Sequence, residues 1–156
     1  MHAQMPPSTE QFIRLINIIA AAIVASVFVY MVIAWVVAPT LAEESRDPGL
    51  VQTLAAILAV VSLGHLVAAQ ILFAIRVRAA EKLPTPEQRL GSYRAAIILS
   101  FALREAVAVY GLILSFLSGD ARWCLGFGAV AVVSMLLGWP NRGVMDRLGS
   151  EVPPIG

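Results

Sequence analysis

Charge is what this sequence has least of. Only 13% of its 156 residues are charged while 59% are hydrophobic, and the mean hydropathy of +0.82 is far above that of a soluble domain of this length. Cysteine is limited to Cys124, which excludes an internal disulfide and leaves packing as its role. Two histidines without neighbouring cysteines or carboxylates exclude a metal centre. No Ser/His/Asp arrangement, HExxH, CxxCH or phosphate-cradling glycine loop is present, and the polar loops are too short to house an aqueous active site. No catalytic residue and no cofactor is therefore expected. A formal net charge of +1 gives nucleic acid nothing to bind.

What the chain does have is long apolar runs. A membrane-crossing helix takes roughly 20 such residues, and four stretches approach or exceed that demand: Phe12 to Val37, Leu50 to Ile75, Tyr93 to Leu117, and Trp123 to Trp139. The last is the shortest and lies between two tryptophans, as a helix anchored in both aromatic belts would. Ser8 with Gln11, and Thr85 with Pro86 and Gln88, mark helix starts. Pro39, Ser118-Gly119-Asp120 and Pro140 mark stops. These signals predict one all-α membrane domain of four transmembrane helices in antiparallel up-down hairpins, over about 12–38, 50–76, 87–118 and 123–140. The first run is too long for the core of a signal peptide, despite small residues near Ala42, and is read as a retained helix.

Orientation follows the cations. Arg76, Arg78, Lys82, Arg89 and Arg94 cluster between the second and third runs, and Arg142 and Arg147 follow the fourth; the first loop is acidic, with Glu43, Glu44 and Asp47 against Arg46. Both termini are predicted to be cytoplasmic, and the compact Ala/Val-rich style fits a bacterial inner membrane.

The polar residues inside the runs carry the functional question, because charge in a bilayer is costly and commonly marks function. The stretch "ALREAVAVYGLIL" sets Arg104 beside Glu105 near the middle of the third run, with His65 at similar depth in the second. Adjacent helical residues point about 100° apart, so the two charges cannot simply face one another. Arg104 shares its face with Ser100, Ala108, Gly111 and Ser115, and Gly119 extends this small-residue ladder, which suits close packing of another helix. Glu105 falls on the bulky strip of Ile98, Phe101, Val109, Leu112 and Phe116, facing lipid or a partner subunit. A desolvated carboxylate without a partner gives up its charge; Glu105 is expected to take up a proton and release it when a polar or cationic group arrives.

This segment, "IILSFALREAVAVYGLILSF", resembles the carboxylate-bearing helix of subunit c, the proteolipid of rotary ATP synthases and V-type ATPases, through Ala102, Glu105-Ala106 and Tyr110-Gly111-Leu112. The basic "TPEQR" loop before it extends the likeness, which covers the hairpin from about Leu50 to Leu117. The resemblance implies that Glu105 is the ion-binding carboxylate, that Tyr110 helps to orient it, and that the chain works as a homo-oligomer or as a subunit of a larger membrane complex. Gln70 lies near the glutamine of some sodium-binding relatives. Two departures stand out: the second run keeps Gly64 but lacks the family's alternating glycines, and Arg104 sits where a ring subunit carries no arginine of its own.

The alternative reading is a structural or accessory subunit that translocates nothing. In it Arg104 and Glu105 make polar contacts between helices, with His65 and Gln70 as further candidate partners. Finally, "ASVFVYMVI" in the first run echoes "EAVAVYGLI" in the third, and "LAVVSL" in the second echoes "VAVVSM" in the fourth. A parallel duplication of this kind sets Ala25 opposite Glu105.

Overall fold

Long runs of Ala, Leu, Val and Ile, with proline confined to the ends, suit helices, which pair the backbone N–H and C=O groups within their own segment as an apolar setting demands. The computed structural model describes residues 9–41 and 47–150, and among them there is only helix and short turns. Helix α1 spans Thr9–Val37 and runs into a 3-10 turn at Ala38–Leu41; α2 spans Pro48–Glu81, α3 Pro86–Ser118, α4 Arg122–Leu137 and α5 Arg142–Gly149. Ser8, Ala42, Glu43, Glu44 and Arg46 lie outside the described residues.

Three of these helices, α1 with its 3-10 turn, α2 and α3, are long and apolar enough to cross a membrane. The fourth expected span is different. Helix α4 has 16 residues, short of the roughly 20 that a crossing takes, and a bend of 46° separates it from α5. The pair counts as a fourth span only if it is taken as one broken helix. Buried Pro140 and the Asn141 cap, whose side chain accepts from Gly143 N at 2.8 Å, fix this bend. Helix α5 was absent from the sequence expectation because its apolar content is three residues, Val144, Met145 and Leu148, of which Met145 and Leu148 are buried against the rest.

The other boundaries shift for local reasons. Asp47 accepts from Gly49 N and starts α2 just before Pro48, while the helix continues to Glu81, so Arg76 and Arg78 stand on its last turns and not in a loop. Thr85 caps α3 by accepting from Gln88 N at 3.3 Å. Gly119, expected on the packing ladder, instead ends α3 in the left-handed conformation, φ 72°, which favours glycine.

Every other helix packs against α3, whereas α1 and α2 barely touch. Ala34 near Leu112 and Ala121 shows that α1 runs parallel to α3. Helix α2 is antiparallel to it, with Ala69 beside Ser100 and His65 beside Tyr110. So is α4, whose start at Cys124 meets Ser115 and whose end at Gly138 meets Arg104. As a result Arg14, Arg76, Arg78, Lys82, Arg89, Arg94, Arg142 and Arg147 all gather at one end of the bundle.

At that end Arg89 is the fastener. It is only 5% exposed, and it donates to Leu83 O at 2.9 Å, Pro84 O at 3.4 Å and Ser150 O at 3.2 Å, joining the α2–α3 turn to the residue after α5. Hydrogen bonds from a charged donor contribute about 1.5–3 kcal/mol each in buried settings. Replacing Arg89 by methionine is expected to free α5 while the main bundle stays folded. Hydrogen exchange read by mass spectrometry checks this: amides of residues 142–150 are expected to exchange at least tenfold faster, with those of α3 unchanged.

Candidate functional site

The polar side chains of α3 leave it in three directions, one toward each neighbouring helix. Their separation follows from the 100° step between residues and answers why an arginine and a glutamate can stand side by side.

Arg104 turns to α4. It is 2% exposed, and its guanidinium lies so close to Gly138 that a Cβ there would stand 2.5–2.8 Å from Nη1, Nη2 and Cζ. The same group lies 5.7 Å from the centre of the Phe101 ring, and Phe101 in turn meets Trp139 edge-on at 6.2 Å. The last turn of α4 presents backbone carbonyls and the negative end of the helix dipole, a setting that favours a cation. Arg104 Nε is buried without a hydrogen-bond partner. Small Gly138 is what allows the guanidinium to reach this position.

Glu105 turns to α1. Its Oε1 accepts from Tyr30 Oη at 2.8 Å and lies 2.5 Å from Ser26 Oγ. The expectation of an outward, unpartnered carboxyl therefore does not hold, because α1 covers the strip that the α3 sequence alone left open. The candidate partners are also reassigned. Arg104 and Glu105 form no ion pair among the described residues; Gln70 is exposed on α2; and His65 faces Tyr110.

Tyr110 turns to α2. Its ring meets His65 edge-on with centroids 5.6 Å apart, and its hydroxyl is 3.5 Å from His65 Nε2. His65 Nδ1 lies 2.9 Å from Val61 O, which assigns the hydrogen to Nδ1 and leaves Nε2 as acceptor for the tyrosine. The tyrosine on Glu105 is thus Tyr30 rather than Tyr110.

Ser26 sets a proton-counting problem. Its Oγ lies 2.6 Å from Ile23 O and 2.5 Å from Glu105 Oε1. A hydroxyl has one hydrogen, and a carbonyl oxygen can only accept. Ser26 either shares its hydrogen between the two oxygens or gives it to Ile23 O and accepts one from a protonated Glu105.

The remaining ladder residues pack α3 against α4. Ala108, Gly111 and Ser115 are buried, and Ser115 Oγ accepts from Cys124 N at 2.9 Å, taking up one of the first free amides of α4. Ser100 Oγ donates to Ala69 O of α2 at 3.5 Å. Among the described residues no cluster of three His, Cys, Asp or Glu side chains could hold a metal ion.

Ser26 and Tyr30 were overlooked in the sequence. The available signal was two polar residues four apart in an apolar run, inside the segment that echoes the Glu105 region with Ala25 aligned to the glutamate. Compared with protein-family models, with curated proteins and with solved structures, the chain finds no match.

Proposed function

We propose that the chain is a four-span membrane subunit that holds and releases a proton at Glu105, comparable in this respect to the proteolipid subunit c of rotary ATPases, and that it acts as a homo-oligomer or within a larger membrane complex. One observation carries the reading: Glu105 Oε1 is held by two neutral hydroxyls, Ser26 Oγ at 2.5 Å and Tyr30 Oη at 2.8 Å, and by no cation among the described residues. Hydroxyls can donate to a carboxylate or accept from a protonated carboxyl, so this setting can hold the group before and after a proton leaves. The placement of Arg104 at the end of α4 removes the main objection to exchange, a permanent neighbouring countercharge. In this reading α4 and α5 together make the fourth, broken crossing, and the arginine-rich end with both termini faces the cytoplasm, in a bacterial inner membrane.

A second reading has its own support. Both hydroxyls on Glu105 come from the same chain, so the carboxyl also ties α1 to α3, and α2 lacks the alternating glycines of a ring-forming helix. On that basis the protein is a structural or accessory subunit.

Carbodiimide labelling in native membranes, followed by mass spectrometry across pH, separates the two. The reagent modifies a protonated carboxyl in an apolar setting. Selective modification of Glu105 that fades as pH rises, and is abolished in Glu105→Gln, is the expected result. A folded protein in which Glu105 stays unmodified at every pH leaves the structural subunit.

A further inference from the structure

The arginine-rich end holds a cleft that neither the Glu105 cluster nor helix packing uses. It has a volume of about 570 Å³ and lies between the first turns of α1 and the α4–α5 bend. Arg14 and Arg142 stand at its mouth with Glu10 and Trp139, and Ile18 and Ala21 continue its wall. Both arginines are exposed, and neither is engaged in an ion pair among the described residues. Glu10 stands four residues before Arg14, a spacing at which the two commonly pair, yet it too forms none.

We propose that this cleft seats the headgroup of an anionic phospholipid, with Arg14 and Arg142 on the phosphate and one acyl chain along Ile18 and Ala21. The charge balance supports it: two guanidiniums against one carboxylate leave a single positive charge at the mouth, the complement of one phosphodiester. Guanidinium groups bind phosphate oxygens in bidentate fashion. The wall supplies the second half of the match, because Ile18 and Ala21 lie roughly 6 and 10 Å further along α1 than Arg14 at 1.5 Å per residue, toward the apolar interior. A free phosphate has nothing to place there. Trp139, 39% exposed, stands where an indole commonly marks the headgroup level. Basic pockets between helices on the positively charged side of a membrane protein take such lipids. This inference rests on the chain lying in a bilayer and is independent of Glu105.

The test is native mass spectrometry of the full-length protein released from micelles holding equal phosphatidylglycerol and phosphatidylcholine. Retention of phosphatidylglycerol in preference is expected, with a loss of roughly thirtyfold in that preference in the Arg14→Gln/Arg142→Gln double variant, the scale set by two arginines near an anionic headgroup. Removing the same charge from α2, with Arg76→Gln/Arg78→Gln, is expected to leave the preference intact, as is Glu105→Gln. A double variant that keeps the preference overturns the proposal. So does an α2 pair that abolishes it equally, since the effect is then one of overall charge.

Discussion

Gly111→Ala is expected to lower the stability of the bundle by about 2 kcal/mol, although alanine is the better helix former by about 1 kcal/mol in a helix interior. The reason is the contact between α3 and α4. A Cβ on Gly111 would stand 2.7 Å from Phe127 Cβ, 2.9 Å from Trp123 O and 3.0 Å from Cys124 Cα. Two of these atoms are backbone, so relief requires moving α4 itself, which also carries the Ser115 to Cys124 hydrogen bond. Overpacking of this sort costs about 1–3 kcal/mol and occasionally more. Gly64 is the control: it lies on α2, and a Cβ there meets nothing within 4 Å. Denaturant unfolding in micelles is expected to show Gly111→Ala well below the parent and Gly64→Ala above it by up to about 1 kcal/mol. Equal midpoints for the two variants would mean that α4 does not sit closely on α3.

The same contact shows which part of the architecture the sequence makes legible. The ladder of Ala108, Gly111 and Ser115 is a local pattern, visible because small residues recur on one face, and it lies at the α3–α4 interface. The Thr85 cap is equally local: a threonine, a proline and a glutamine at fixed spacing start α3. Divergence of Arg104 and Glu105 also follows from helix geometry alone. What those faces meet does not. The face of Glu105 reads as outward because its neighbours on α3 are bulky, and only the placement of α1 beside α3 brings Ser26 and Tyr30 onto the carboxyl. Likewise Arg104 finds the end of α4 because Gly138 leaves room for it, a fact about a residue 34 positions away in the chain. Helix α5 escapes a hydropathy reading because it rests on Met145, Leu148 and the Arg89 fastener rather than on an apolar run.

Arg104→Ala is the second change of large effect, at about 3 kcal/mol of destabilisation, and its coupling to Glu105 decides the charge on that carboxyl. Truncation removes a side chain that is 2% exposed, leaves a cavity between Phe101 and Gly138, and strips the end of α4 of its cation. Glu105→Gln is expected to be mild, because an amide has the shape of a protonated carboxyl and its nitrogen, placed where Oε1 stands, has two hydrogens to donate to Ser26 and Tyr30. The informative quantity is the double-mutant cycle. Sites without shared partners add to within about 0.5 kcal/mol, and Arg104 and Glu105 lie on different helix interfaces. A neutral Glu105 therefore predicts additivity at neutral pH. An ionised one does not: opposite charges attract by about 4 kcal/mol at about 4 Å and an effective dielectric constant of about 20, and by about half that at twice the separation, and removing either would expose that attraction in the cycle. Unfolding measurements on the four proteins supply the number. Additivity leaves Arg104 as a fixture of the α4 terminus and Glu105 as an independent proton site, whereas coupling of about 2 kcal/mol places a standing charge on Glu105 and removes the basis for proton exchange there.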